Sequence, residues 1–423
     1  MQERSNVLFV YTDFNVGGIQ TQILEMCKYN NSLGFNCKVL LLTRCFDENL
    51  LCELRNNAEV FFVDELFSKS NINKKIEKVG GIFLPFCKYD HSKLLNLMQG
   101  VTSCHVLNLF TYYYISSLLC LNLVKPIRLT LGFYHANEAK SLPEDSSFYN
   151  EILNSVNCLN QHSIIATSKV TAKNVMALFD GLNHGLIEAA LGVPRNNSVL
   201  YKEKNNLLSV LSIGRLVPFK TYNKHILEVM LELSRKGIYF NYTIIGDGPN
   251  LDGLKQYVAE NNLGDYVCFI KHINYSELDE HIDKADVFVG SGTSLTYAAG
   301  RSCICIIGIE SNCDPETYGF LSNTSEENYH ELGLHYSKRT FESYILELME
   351  MPQDRYNLIR EEEYKRSYDF SIDNFMGVFN SVNLNSDVYG GYTFKQFVKL
   401  QLKLIRSLLI DKFINKRKLS KNY

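Results

Sequence analysis

The chain lacks paired cysteines: its 12 cysteines are scattered singly with no CxxC, so neither a zinc site nor a thiol redox motif has the spacing it needs. Cys303 and Cys305 alternate along a candidate strand and read as small core hydrophobes, which fits a reducing compartment. No run of about 20 apolar residues occurs, and the opening MQERSNVLFVYTDFN has no apolar stretch of signal-peptide length. The expectation is a cytoplasmic protein, or one peripheral on the inner face of the cell membrane without crossing it. No nucleic-acid motif is present, and the basic residues gather at one end of an otherwise acidic body, so no nucleic-acid partner is expected. Proline is scarce, 8 residues, while Asn, Lys, Ile and Tyr are abundant; this reads as coding bias and carries no function.

What is there is a globular composition, 46% hydrophobic and 21% charged, in a chain too long for one ordinary core. Charge is uneven. Residues 391–423 carry nine Lys or Arg and one Asp, a balance of +8, which leaves residues 1–390 at −11 in a chain of net charge −3.

Asn6 to Tyr11 (NVLFVY) is an apolar run, followed by the Gly17-Gly18 turn and a helical periodicity at Ile19, Ile23, Leu24, Met26 and Cys27. That is strand, glycine turn, helix. Further strands are expected at Cys37–Leu42, Val60–Val63, His105–Leu109, Ile127–Leu131 and Ser163–Ala166. After a polar, unpatterned stretch the alternation restarts with strands at Leu207–Ile213, Phe240–Ile245, Val267–Ile270, Asp286–Val289 and Cys303–Ile307, with helical patterns between them. Strands alternating with helices predict parallel sheets covered on both faces. The fold class is therefore α/β, with two doubly wound Rossmann-like domains facing an interdomain cleft, plus C-terminal helices. The expected boundaries are 1–191 for the N-terminal domain, 192–206 for a linker and 207–350 for the C-terminal domain. Residues 351–390 are expected to be helices returning toward the N-domain, and 391–423 a basic amphipathic tail.

The segments LSIGRLVPFKTYNKHILEV (Leu211–Val229), YTIIGDGPNLDGLKQYV (Tyr242–Val258) and ADVFVGSGTSLTYAAG place glycines or polar residues where strands end and helices begin. Gly214 ends its strand and is followed within six residues by Arg215 and Lys220; two cations there suit a diphosphate. In this order and spacing the segments resemble the retaining GT-B glycosyltransferases of the group 1, or family 4, type. The resemblance implies that Arg215 and Lys220 hold the donor diphosphate and its leaving charge. It implies that Gly17 and Gly18 form the first-domain loop approached by donor or acceptor, and that His135, in LGFYHAN, faces the donor sugar. Gly292, Thr293 and Ser294, within Ser291–Ser294, would offer helix amides to phosphate oxygens. Gly246, Asp247 and Gly248, together with Ile273 in the stretch 271–274, would wall the nucleotide-base pocket. No metal or other cofactor is expected, since the cations and amides meet the diphosphate charge.

Gly290 to Gly300 (GSGTSLTYAAG) departs from that pattern, because the family's two glutamates fall on Val289 and Tyr297. Relatives with a similar loop also lack the earlier one, so the loss at Tyr297 is the unusual feature. The GxP that follows is altered as well, to Ser302-Cys303-Ile304. Three explanations stand open: Tyr297 holds the donor ribose through its hydroxyl; Glu310 or Asp314 reaches in; or donor binding is gone and the chain is a non-catalytic scaffold or partner subunit. A sugar-nucleotide epimerase of similar shape fits the spacing less well. The resemblance implies sugar transfer from a nucleotide-sugar donor, with retention, to a glycan acceptor. The tail FKQFVKLQLKLIRSLLIDKFINKRKLSKNY interleaves apolar residues with Lys at helical spacing. It suits a membrane interface, and hence a lipid-linked acceptor in bacterial surface polysaccharide synthesis. The other reading is a terminal helix packed on the first domain.

Overall fold

The computed structural model describes residues 6–70, 73, 81–134, 147–156, 159, 161–177, 186–404 and 406. The chain divides into two compact units, Met1–Ala190 with Phe375–Tyr423, and Leu191–Asn374.

The first unit is built on strands β1 (Val7–Tyr11), β2 (Lys38–Leu41), β3 (Glu59–Phe62), β4 (Ser103–Val106), β5 (Ile127–Phe133), β6 (Ile164–Ala166) and β7 (Ile187–Glu188). They lie in the order β3-β2-β1-β4-β5-β6-β7 and pair in parallel, while Val388–Tyr389 adds antiparallel to β5. Every residue of β1 is buried, which explains its continuous apolar run: a strand covered on both faces has no polar side to alternate with. The helix Leu109–Cys120 is buried almost all round, and its Tyr112, Tyr113 and Tyr114 sit in the core.

The described part of the tail packs one set of apolar residues on the first unit and leaves another exposed. Phe397, Leu400 and Leu404 join the core of the first unit, and Lys399 and Lys403 reach Glu151 at 2.7 and 2.6 Å. Phe394, Val398 and Leu402, at i, i+4 and i+8, stay exposed, at 73%, 39% and 63%. The basic cluster beyond residue 406 lies outside the described residues. Among the described residues no helix is long and apolar enough to cross a membrane.

The second unit carries β8 (Ser209–Ile213), β9 (Asn241–Ile245), β10 (Val267–Ile270), β11 (Val287–Gly290) and β12 (Ile304–Ile307). Their order is β10-β9-β8-β11-β12, all pairs parallel. The chain leaves β8 toward β9 on one side and β11 enters on the other, so strand order reverses between β8 and β11. In such sheets ligands bind outside the carboxyl ends of the strands at this reversal. Cys303 and Cys305 are buried, as small core residues. Asp286, fully buried, pins the start of the unit. Its carboxylate accepts from the amides of Asn205 (3.2 Å) and Ser209 (2.9 Å) and from the Tyr356 hydroxyl (3.3 Å), with Lys202 at 3.3 Å. Helices follow at Phe341–Glu350 and Gln353–Arg366, and the helix Ile372–Asn385 passes into the first unit from Phe375 on.

Candidate functional site

At the carboxyl ends of β8 and β9 two glycine loops are laced together by backbone. The Gly214 amide donates to the Ile245 carbonyl (3.0 Å), Leu216 to Asp247 (2.9 Å) and Asn250 to Leu216 (3.0 Å). This approach requires glycine. Gly246 and Gly248 have φ of +150° and +149°, and a Cβ on them would stand 2.0 Å from the Gly214 carbonyl oxygen and 2.4 Å from that of Leu216. Gly214, at φ +147°, is covered instead by a side chain: Lys220 folds back so that its Nζ lies 3.1 Å from where a Cβ would be. Leu216 is buried in the core while Arg215 projects into solvent.

Among the described residues Lys220 Nζ forms no salt bridge within 4 Å. Burial pushes its pKa down, Glu310 pulls it back up, and Arg215 adds to the lowering. A part-buried ammonium held near a second cation, with its neighbouring carboxylate beyond salt-bridge distance, is a site prepared for an anion.

The loop after β11 lies on the other side of the reversal. Gly292, at φ +64°, is the N-cap of the helix Thr293–Gly300, and no side chain caps it, which leaves the first amides of Thr293 and Ser294 to a ligand or water. Tyr329 fixes the loop by donating to the Gly292 carbonyl at 2.8 Å. The Ser291 hydroxyl, with Tyr222 at 3.4 Å, donates to Glu310 Oε1 at 2.7 Å. Glu310 stands just past β12. It thus belongs to the same edge as Lys220 and Ser291.

Tyr297 is half-buried in that helix, and its hydroxyl donates to Asp279 Oδ1 at 2.6 Å. The other oxygen of Asp279 meets Arg301 at 2.8 Å, and the Tyr275 ring lies edge-on to Tyr297 at 6.2 Å. Val289 is buried in β11. Beyond β9 and β10, Lys271 and Asp247 bridge the two loops at 3.2 Å, with Ile273 half-buried beside them.

Thus Gly214, Arg215, Lys220, Gly246, Asp247, Gly248, Ile273, Gly292, Thr293, Ser294 and Tyr297 all stand on loops or helix starts beyond β8 to β11 of one sheet. Gly17 and Gly18 belong to the first unit, where Gly17 caps the helix Gly18–Ser32 with extended backbone. His135 lies outside the described residues. Asp279 has no place in the sequence pattern at all; its only signal was a carboxylate on the helix preceding the loop. No group of three or more His, Cys, Asp or Glu side chains among the described residues is arranged to hold a metal.

Residues 196–300 match the family model described as Glycosyl transferases group 1, a span that contains both glycine loops and the Gly290–Gly300 loop. Solved structures match over the greater part of the chain. S. aureus TarM, in a complex with fondaparinux, alpha-GlcNAc-glycerol and UDP, is 12% identical with a TM-score of 0.60, covering 90% of this chain and 100% of that one. The fold is GT-B. A glycosyltransferase from Rickettsia africae is 13% identical at TM-score 0.59, and Anabaena HepE in complex with UDP is 14% identical at 0.57, each covering 90% of this chain and 100% of its own. No curated protein matches the sequence. The matched family segment includes β8 to β11 and the Gly214 and Gly246 loops.

Proposed function

We propose that the protein is a glycosyltransferase that moves a sugar from a nucleotide-sugar donor, with retention, to a glycan acceptor. The observation that carries this reading is Lys220, an ammonium without a salt-bridge partner folded over Gly214 beside Arg215 and opposite the uncapped helix start at Gly292. Two cations and a helix N-terminus neutralise a leaving diphosphate without a metal. The group 1 match over residues 196–300 and the UDP held by TarM and HepE, as their structures are described, support it. In this reading Gly17, Gly18 and His135 serve the acceptor and sugar side.

The acceptor is a lipid-linked glycan in bacterial surface polysaccharide synthesis, and the enzyme works in the cytoplasm, peripherally on the inner face of the membrane. The exposed Phe394, Val398 and Leu402 beside Lys395 and Arg406 support that placement, because apolar side chains flanked by cations suit an anionic interface. One observation favours a second reading, a non-catalytic GT-B scaffold or partner subunit: Tyr297 stands where the family keeps a glutamate.

Thermal shift with UDP, GDP, ADP and CMP, run beside Lys220→Ala, separates the two. The transferase reading expects one nucleotide to raise the melting temperature by several degrees and Lys220→Ala to abolish the rise. A cooperative melt indifferent to all four nucleotides supports the scaffold.

A further inference from the structure

The dyad of Lys220 and Glu310 is left open in a way that an ordinary surface ion pair is not. The two interact electrostatically, yet they form no salt bridge within 4 Å, although both lie on the same sheet edge. Glu310 spends Oε1 on the Ser291 hydroxyl, and among the described residues Oε2 accepts no hydrogen bond. Lys220 has three donors and no anion; Glu310 has a charged acceptor and no second donor. A ligand placed between them must present acceptors to the lysine and hydroxyl donors to the carboxylate. A sugar phosphate does both.

The placement of Glu310 is fixed from several sides. Its amide donates to the His330 carbonyl at 2.9 Å, which ties the segment after β12 to the turn that carries Tyr329, and Tyr329 in turn holds Gly292. The groups that face the carboxylate are Lys220 from the β8 loop, Tyr222 from the helix that follows it, Ser291 from the β11 loop, and Tyr329 and His330 from that turn. Those that face the Lys220 ammonium are Glu310, Arg215 and His330.

We propose that Glu310 supplies, from the end of β12, the carboxylate that the Gly290–Gly300 loop lacks, binding hydroxyls of the transferred sugar through Oε2 while Lys220 takes the adjoining phosphate. Ser291 positions it. The inference rests on the transferase reading and names the residue that recognises the sugar within it. It also has a consequence that needs no ligand: the negative charge of Glu310 supports the charged form of Lys220, which burial and Arg215 oppose.

Two measurements on Glu310→Gln test it, with Ser291→Ala beside it as a variant that keeps the carboxylate charge. In ligand-free protein, the Lys220 ammonium is titrated by the pH dependence of its acetylation, read by mass spectrometry of the Lys220 peptide. Glu310→Gln is expected to move that titration to lower pH, whereas Ser291→Ala leaves it nearly in place; an unmoved titration in Glu310→Gln overturns the proposal whatever the protein binds. The affinities of UDP, GDP and ADP are then compared with those of UDP-glucose, GDP-glucose and ADP-glucose by calorimetry. With the base that binds, wild type is expected to hold the sugar conjugate more tightly than the bare diphosphate. Glu310→Gln should lose that margin by roughly tenfold, the factor carried by one hydrogen bond to a charged acceptor, while still binding the diphosphate. A margin that survives in Glu310→Gln overturns the proposal and leaves the transferase reading standing. A wild type that binds none of the six, and shows no thermal shift with CMP, overturns the transferase reading, and the sugar role of Glu310 with it.

Discussion

Replacing Gly246 with alanine tests whether the glycine loops are a built contact or a permissive turn. The added Cβ meets the Gly214 carbonyl oxygen at 2.0 Å and its carbon at 3.0 Å; both are backbone, so no side chain can swing away. The φ of +150° is a second penalty, about 1–3 kcal/mol for a residue with a side chain in a glycine-only region. Relief requires the two strand ends to part, which stretches the bonds Gly214 to Ile245 and Leu216 to Asp247, about 0.5–1.5 kcal/mol each. The expected destabilisation is about 2–6 kcal/mol. Since the chain has no tryptophan, urea unfolding is followed by circular dichroism. The control is Gly253→Ala, inside the helix Leu251–Glu260 with nothing within 4 Å of its new Cβ. It should be neutral or stabilising by up to about 1 kcal/mol. If both variants unfold alike, the close approach of the loops is not what holds this edge.

Other perturbations separate structural from functional carboxylates. Asp286→Ala strands the amides of Asn205 and Ser209, while the Tyr356 hydroxyl keeps the backbone carbonyl of residue 286 and Lys202 those of Lys284 and Ala285; two buried amides without an acceptor should cost about 2 kcal/mol or more by urea unfolding. Glu363 is fully buried, accepts from the Ser322 amide and hydroxyl through one oxygen, and has its pKa pushed by burial up to about 8. The folded state therefore holds a proton that the unfolded chain gives up near pH 4.5, so this residue's contribution is full below that pH and is lost as pH rises toward 8. Urea midpoints measured from pH 5 to 8 should fall more steeply in wild type than in Glu363→Gln; parallel profiles would remove the assignment.

The second unit was legible because its signals are local. Each of β8 to β12 is an apolar run ending in glycine or polar residues, and GRLVPFK and IIGDGP lie where backbone must pass close to backbone. The tail was legible only in part: its alternating apolar and basic residues specify an amphipathic helix, but the same face serves a protein core or a lipid surface. Phe397, Leu400 and Leu404 went to the core of the first unit, Phe397 against Phe86 at 5.9 Å, in a place that nothing local announces. The helix Leu109–Cys120 was not foreseen, since burial on all sides removes the periodicity by which helices are read.

The carboxylates around the Gly290–Gly300 loop were the least legible, and for a reason that bears on how the tyrosine is judged. Read along the chain, position 297 has lost a charge. In space, the Tyr297 hydroxyl ends 2.6 Å from Asp279, eighteen residues earlier, and Ser291 ends 2.7 Å from Glu310, nineteen residues later. Each side of the loop therefore borders a carboxylate brought by a neighbouring element, one oriented by a tyrosine and an arginine, the other by a serine and held near a lysine. A motif counts residue types at fixed spacing, whereas a binding site depends on which charges stand at a given place. A fold that brings strand ends together can move the carboxylate from the motif to its neighbours without emptying the site.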